Sequence, residues 1–285
     1  MQLQDQWVLV TGASSGLGEA IAVELATRHR AKPILVARRA GRLHALASKL
    51  KAEAGVAADV IEADLSKPED VERVYQLATR ERSVYAAILN AGITHFGDHR
   101  ELDFRGFETM LATNVTSNVR LCSLFIPHLI ETNQGGGLLL VTSMAGLVTV
   151  PYQTAYSATK AFLTSYGQGL YHEHAGDNLS ITTFAPGGID TDMVRRYGLT
   201  EHFGKLQTQD PKSCAHAAID AMIKRRYLAV PGTFNQLPIF MSRLVSRKIS
   251  SGAVASAYRG ALRNYAKSVA PAQRLSARPK DSGSE

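Results

Sequence analysis

Seven short apolar runs alternate along this chain with stretches that have the apolar spacing of an α-helix. The runs are rich in Val, Ile and Leu at consecutive positions, which is typical of strands buried on both faces of a sheet. They span residues 7–11, 33–37, 56–62, 86–90, 137–142, 179–185 and 227–230, with helical patterns at 18–29, 42–53, 68–82, 107–132 and 154–176. Strand–helix alternation predicts right-handed βαβ units. We therefore expect an α/β fold with a doubly wound, seven-stranded parallel sheet.

Composition and charge divide the chain into three parts. The 285 residues are 45% hydrophobic, which supplies a core and excludes a disordered or fibrous protein. We expect one domain over 1–232, a basic helical extension over 233–270 and a disordered tail over 271–285. Two cysteines cannot form a disulfide framework, and the strand-like run at Trp7 leaves no room for a signal peptide. These features predict a cytoplasmic location.

The net charge of +7 belongs to the carboxyl-terminal part of the chain. Residues 224–285 hold 12 of the 32 Lys and Arg residues and only Asp281 and Glu285 as acids. Apolar and basic residues interleave over 235–269, and three interpretations stay open. The segment is a helical extension packed on the domain or on a partner subunit, a peripheral membrane contact, or a lid over an apolar pocket that meets an anionic carrier. Residues 1–223 are slightly acidic. They have no helix-turn-helix or zinc-finger pattern, which argues against a nucleic-acid binder.

A glycine-rich turn follows the first predicted strand and opens the first helix. It reads Thr-Gly-Ala-Ser-Ser-Gly-Leu-Gly over residues 11–18. Gly12 permits the tight turn, Gly16 lets the backbone approach a diphosphate, and Gly18 lets the helix pack close to the sheet. The diphosphate would meet free N–H groups and the positive end of the helix dipole. This turn predicts dinucleotide binding by Gly12, Ser14, Ser15, Gly16, Leu17 and Gly18.

The end of the second strand indicates which dinucleotide is bound. An acidic residue there would bond the ribose 2′-hydroxyl of NAD, but the sequence is Val-Ala-Arg-Arg over residues 36–39. An arginine can pair bidentately with a 2′-phosphate. We therefore predict NADP(H) as the cofactor, with Arg38 as the clamp.

A serine, a tyrosine and a lysine form a candidate catalytic group. Ser143 closes the fifth strand, and Tyr156 and Lys160 share one helix face at spacing i, i+4. The phenol has an ordinary pKa near 10, and a neighbouring ammonium is expected to lower this pKa. Tyr156 could then exchange a proton with a carbonyl or alcohol oxygen, while Ser143 holds that oxygen in line.

The ordered set of these motifs resembles the short-chain dehydrogenase/reductase family, in its branch with one Rossmann domain. The matching motifs run in order from residue 7 to residue 231 and include the glycine turn, Asp64-Leu65, Asn90-Ala91-Gly92, Asn114, Ser143, Tyr156-x3-Lys160 and Pro186-Gly187-x3-Thr191. The resemblance implies an oxidoreductase that acts on CH–OH or C=O groups. It also implies a homo-oligomer, a dimer or a tetramer.

The resemblance further implies roles for individual residues. Lys160 would bind the nicotinamide ribose, and Asn114 would anchor a water that links Lys160 to solvent; packing inside its helix is the alternative for Asn114. Asp64 would bond the adenine amino group. The other implied cofactor contacts are Leu65, Asn90, Ala91, Gly92, Tyr156, Pro186, Gly187, Ile189 and Thr191.

The substrate and the alternatives to catalysis are only partly constrained by sequence. Apolar residues after the fourth to sixth strands, among them Phe96, Met144 and Tyr152, predict a small-molecule substrate with a hydrophobic ketone or acyl group. A different hypothesis is a catalytically silent nucleotide-binding or scaffold protein on the same fold, which the intact Ser143, Tyr156 and Lys160 argue against. His172 and His174 point apart on a helix, and no metal site is predicted.

Overall fold

The computed structural model describes residues 1–191, 208–232, 246, 248–260 and 263. Its strands are β1 (Trp7–Thr11), β2 (Lys32–Ala37), β3 (Asp59–Glu62), β4 (Val84–Leu89), β5 (Gly137–Val141), β6 (Ser180–Phe184), β7 (Gly188–Ile189), β8 (Thr208–Gln209) and β9 (Leu228–Ala229). Seven of them form one parallel sheet in the order β3-β2-β1-β4-β5-β6-β9. The predicted seven-stranded, doubly wound α/β fold is confirmed.

Helices connect the strands on both faces of the sheet. They are α1 (Gly16–Arg28), α2 (Ala40–Ala54), α3 (Pro68–Thr79), α4 (Phe104–Leu111), α5 (Ser117–Thr132), α6 (Thr154–Glu173) and α7 (Pro211–Ile223). Residues 248–260 are also helical. Within the described ranges, no helix is long and apolar enough to cross a membrane.

Alternate residues of each central strand enter two separate cores. In β1, Val8 and Val10 pack with α1, α2 and α7 on one face, and Leu9 packs with α3, α5 and α6 on the other. All three side chains are fully buried. Burial on both faces explains why the strands read as continuous apolar runs.

The structure corrects several predicted boundaries. The predicted helix 107–132 is two α-helices joined by one π-helical turn, Ala112–Thr116. The third strand begins at Asp59, three residues later than the predicted 56–62 run. A second, two-stranded sheet pairs β7 with β8, and a pairing of two residues is too short to leave a periodic pattern in the sequence.

The carboxyl ends of the seven strands lie along one edge of the sheet, because all seven are parallel. The strand order reverses between β1 and β4, and open α/β sheets bind ligands at such a switch point. The glycine turn, Arg38, Asp64, Asn90, Ser143 and Pro186 all follow strands at this edge. The fold therefore collects residues that lie far apart in sequence.

Candidate active site

The glycine turn brings α1 very close to the ends of β1 and β4. Gly12 has φ +70°, and a Cβ atom there would lie 2.9 Å from Asn90 Nδ2 and 3.0 Å from Ala91 Cα. A Cβ atom at Gly18 would lie 2.3 Å from the Gly12 carbonyl oxygen. Any larger residue at either position must displace backbone, so the close approach predicted from the sequence is present. Leu17 points away from the turn into the core that contains α1.

The amino end of α1 is available to a ligand. Its N-cap residue, Ser15, makes no side-chain capping hydrogen bond, so the first N–H groups of the helix are not satisfied by a cap. Gly16 has φ +59° and faces Thr191, whose Cγ2 atom would lie 2.9 Å from a Cβ at Gly16. An uncapped helix amino end between two glycines suits a diphosphate.

Thr11 connects the ends of β1 and β4. Its Oγ1 atom accepts hydrogen bonds from the backbone N–H groups of Asn90 (2.9 Å) and Ala91 (3.0 Å). The side-chain amide of Asn90 donates to the Thr11 carbonyl at 3.0 Å. The sequence analysis did not place Thr11 among the site residues, yet this hydroxyl fixes the Asn90-Ala91-Gly92 segment beside the glycine turn.

Asn114 lies fully buried in the π-helical turn between α4 and α5. Its Oδ1 accepts from Ile93 N–H at 2.8 Å, and its Nδ2 donates to the Ile93 carbonyl at 2.9 Å and to Thr159 Oγ1 at 3.0 Å. Both amide protons are therefore used within the protein. These bonds hold Asn114 between the loop after β4 and α6, and its implied water relay to Lys160 stays a prediction.

Lys160 is a buried cation at the centre of the site. Its side chain is 3% exposed, and Nζ donates to the Val141 carbonyl at the end of β5 at 2.9 Å. Both Nζ and Asn114 Oδ1 would lie within 3.4 Å of a Cβ at Gly92. Burial lowers the pKa of Lys160 to about 8, so the ammonium form still predominates at pH 7. Among the described residues Lys160 has no carboxylate partner.

Tyr156 lies one helical turn before Lys160 and is half-buried. Lys160 Nζ is 5.9 Å from the Tyr156 ring centroid, and the Ser143 side chain is close enough to the phenol to lower its pKa. Burial raises the pKa of Tyr156 to about 12, and Ser143 lowers it only in part. The expected lowering of this pKa below its ordinary value by Lys160 is therefore not what the structure shows. The Lys160 ammonium donates to the Val141 carbonyl. Desolvation is the largest influence on the pKa of the Tyr156 phenol.

Two arginines follow β2, and the structure distinguishes them. The Arg39 guanidinium donates to Ser14 Oγ at 2.9 Å and to Ser15 Oγ at 2.7 Å, both in the glycine turn. Arg38 is exposed, and among the described residues it has no hydrogen-bond or ion-pair partner. Arg38 as the clamp stays a prediction, and the contact of Arg39 with the glycine turn was not predicted, because the direction of each side chain depends on the turn that follows the strand.

The other residues predicted to contact the cofactor differ in how they are placed at the carboxyl edge of the sheet. Leu65 and Ile189 are buried in the two cores, so only their main chains could reach a ligand. Asp64 Oδ1 accepts from the N–H and the hydroxyl of Ser66 at 3.1 and 2.9 Å. The Pro186 carbonyl accepts from Met144 N–H at 2.8 Å, which ties the Pro186-Gly187 turn to the residue after Ser143.

The site thus has two ends suited to a dinucleotide. An uncapped helix amino end and an arginine lie at one end, and a buried ammonium beside a phenol lies at the other. The first N–H groups of α1, which no side chain caps, fit a phosphate-bearing group. The described residues include no group of three or more His, Cys, Asp or Glu placed to bind a metal ion.

Comparisons with known proteins agree with this geometry. The family model described as short chain dehydrogenase matches residues 6–202. An 11-beta-hydroxysteroid dehydrogenase from Pinus massoniana is 31% identical over 249 residues, which cover 82% of this chain and 69% of that protein. A short-chain dehydrogenase from Sphingobium yanoikuyae in complex with NADPH superposes with a TM-score of 0.73 at 26% identity, over 98% of this chain and 99% of that one.

A further solved structure shares the fold but holds a different cofactor. A short chain dehydrogenase/reductase from Burkholderia phymatum in complex with NAD superposes with a TM-score of 0.77 at 21% identity, over 84% of this chain and 93% of that one. The chain belongs to the short-chain dehydrogenase/reductase family. It is an oxidoreductase acting on CH–OH or C=O groups with a nicotinamide dinucleotide.

We expect Gly18→Ala to destabilise the fold by about 2 kcal/mol or more, because its Cβ would overlap the Gly12 carbonyl oxygen, which is backbone and cannot rotate away. Gly41→Ala in α2 is the matched control, since no atom lies within 4 Å of its added Cβ. Urea denaturation should show a lower midpoint for Gly18→Ala and an unchanged or higher one for Gly41→Ala. Equal midpoints for both variants would contradict the close approach.

We expect Asn114→Ala to lower the free energy of unfolding by about 2 kcal/mol, because it leaves the part-buried N–H and carbonyl of Ile93 without their partner. Asn178→Ala, at an exposed amide, should change it by less than about 0.5 kcal/mol. Both are measured by chemical denaturation alongside turnover. An Asn114→Ala protein with normal stability and lost turnover would favour the water-relay role instead.

Proposed function

We propose that this protein is an NADP(H)-dependent oxidoreductase for hydrophobic ketones or acyl groups, with Tyr156 as the general acid/base. The observation that carries the proposal is the contact of Ser143, Tyr156 and Lys160 at the carboxyl edge of β5. These three side chains come from a strand end and from successive turns of α6. They meet beside the glycine turn, where the dinucleotide would lie.

Tyr156 is suited to donate a proton. Because burial raises the pKa of its phenol to about 12, the hydroxyl stays protonated across neutral pH. That is the state needed to protonate a carbonyl oxygen as hydride reaches the carbonyl carbon. Ser143 lies beside the phenol and would hydrogen-bond the same substrate oxygen.

The bound nicotinamide would supply or accept the hydride, and the chain supplies the binding groups. The amino end of α1 would hold the diphosphate between Gly12 and Gly16. Lys160 would hold the nicotinamide ribose hydroxyls, since its ammonium has one carbonyl partner and further N–H groups to donate. Ala91, Gly92, Pro186, Gly187 and Thr191 would line the nicotinamide half.

The preference for NADP(H) rests on arginines at the end of β2. No acidic residue follows Ala37, so the hydrogen-bond acceptors that a 2′-hydroxyl needs are lacking at that position. Arg39 already contacts the hydroxyls of Ser14 and Ser15, which are short side chains beside the predicted ribose position. Arg38 and Arg39 together would bracket a 2′-phosphate. The NADPH held by the Sphingobium yanoikuyae relative is consistent with this proposal.

Assembly, domains and location are proposed on separate grounds. Phe104 in α4 and Phe162 in α6 are 67% and 48% exposed, and two packed helices that present such rings support a homo-oligomer through this face. We retain the domain boundaries 1–232, 233–270 and 271–285 and a cytoplasmic location as proposals. Peripheral membrane contact was one interpretation of the segment 235–269. Much of this segment lies outside the described residues.

The competing function is a catalytically silent nucleotide-binding or scaffold protein. It predicts dinucleotide binding without turnover of any carbonyl. The buried ammonium of Lys160, which has no carboxylate partner among the described residues, argues against it, because a buried cation without a catalytic or binding use is costly.

We expect Tyr156→Phe to lower kcat for ketone reduction at least about 100-fold, because the variant has no proton to donate. Affinity for NADPH, measured by fluorescence titration, should stay within about twofold, since the phenol is not a phosphate contact. The control is Tyr166→Phe, which removes a hydroxyl from the same helix away from Ser143. Retained turnover in Tyr156→Phe would rule out the proposed acid.

We expect Arg38→Ala and Arg39→Ala each to weaken NADPH binding about 10-fold or more, because each removes a charge-assisted hydrogen bond to the 2′-phosphate. NADH affinity should change little. Arg80→Ala, at an exposed arginine after α3, serves as the charge-matched control. Titrations with both cofactors measure the effect, and an equal loss for NADH and NADPH would reassign the cofactor to NAD.

A further inference from the structure

The serine turn, residues 143–148, lies directly on α6. A Cβ atom at Gly146 would lie 2.5 Å from the Lys160 carbonyl oxygen and 2.8 Å from Thr164 Oγ1. A real Cβ atom essentially never comes this close to a backbone oxygen, so the contact requires a glycine. The turn that carries Ser143 therefore packs on the backbone of the helix that carries Lys160.

One side chain of α6 joins the helix to the serine turn by hydrogen bonding. Ser157 is buried, and its hydroxyl donates to the Ala145 carbonyl and lies 3.3 Å from the Val148 carbonyl oxygen. Ser157 directly follows Tyr156 in the chain. The sequence analysis gave Ser157 no role, yet its hydroxyl links the serine turn to the helical position next to the phenol.

The residue that Ser157 holds also contacts the Ser143 side chain. The N–H of Ala145 donates to Ser143 Oγ at 3.1 Å, while the carbonyl of Ala145 accepts from Ser157. A serine hydroxyl has a single proton and accepts through its lone pairs. Because Ser143 Oγ accepts here from a backbone N–H, its proton stays available for a substrate oxygen or for the phenol. Ala145 thus connects Ser157 to the group that would hold the substrate.

We propose that Ser157 is a positioning residue, which acts through Ala145 to set the place of Ser143 Oγ relative to the Tyr156 phenol. Without the Ser157 hydroxyl, the buried Ala145 carbonyl loses its donor and the serine turn can shift on α6. A displacement of about 1 Å at a group that orients substrate is enough to lower turnover strongly. The kinetic part of this inference rests on the proposed function, because it assumes that Ser143 holds a substrate oxygen.

The first test compares two buried serines. Ser157→Ala should lower kcat for ketone reduction about tenfold or more and leave NADPH affinity within about twofold of the wild type. The matched control is Ser180→Ala, because the buried Ser180 hydroxyl donates to the Met222 carbonyl at 2.9 Å. Ser180 begins β6, at the opposite edge of the sheet from Ser143. The control should lower the urea midpoint to a similar extent and keep the wild-type kcat.

Two further variants test the route through Ser143. In a Ser143→Ala background, Ser157→Ala should reduce kcat by less than about twofold more, because the group that it positions is already absent. Ser157→Cys fills nearly the same space with a weak donor and should lose kcat as Ser157→Ala does. The inference is overturned by a full additional tenfold loss in the double variant, by wild-type kcat in Ser157→Ala, or by recovery of wild-type kcat in Ser157→Cys.

A spectroscopic measurement that needs no turnover separates this inference from the proposed function. NMR of the full chain with ζ-carbon-labelled tyrosine reports the surroundings of the Tyr156 phenol, whose signal is assigned from Tyr156→Phe. Ser157→Ala should move this signal in the same direction as Ser143→Ala, and Ser180→Ala should leave it in place. Such shifts in a protein that reduces no ketone would sustain the positioning role and refute the reductase. An unmoved or oppositely moved signal in Ser157→Ala would overturn the inference whatever the turnover.

Discussion

The buried ammonium of Lys160 is the interaction on which the geometry of the site depends. Nζ donates to the carbonyl of Val141, the last residue of β5, and so fixes α6 against the end of the central sheet. Because Tyr156 lies one turn earlier on the same helix, this bond also fixes the phenol beside Ser143. Taking a cation out of water is expensive, and one carbonyl repays only part of that cost. The remaining N–H groups of Lys160 are what a sugar hydroxyl would satisfy.

The same burial sets the protonation states of the pair. It moves the pKa of Lys160 down to about 8 and the pKa of Tyr156 up to about 12. Each shift disfavours the charged form, as expected for desolvation, yet at pH 7 the lysine is still charged and the phenol still protonated. Lys160, 5.9 Å from the ring centroid, does not offset the effect of burial on the phenol.

Local pattern predicted the elements of the fold well, because strands buried on two faces are continuous apolar runs. The order of the motifs along the chain likewise predicted that Gly12, Asn90, Ser143 and Lys160 lie at one edge of the sheet. Features set by side-chain direction or by long-range packing were not predictable. The presence of two adjacent arginines does not indicate that Arg39, and not Arg38, contacts Ser14 and Ser15. Nothing in a helical period indicates the π-helical turn that buries Asn114.

The two halves of the site differ in how they are built, and this explains why sequence identifies one and not the other. The cofactor half consists of short segments that each follow a strand, so its residues appear in fixed order along the chain. The loops after β4 and before α6 are instead contacted by the helix at residues 248–260, where Tyr258 packs on Phe96 and Arg259 contacts Tyr152. A ring at position 258 reaches Phe96 only through the folding of the chain between them, so no local pattern records this contact.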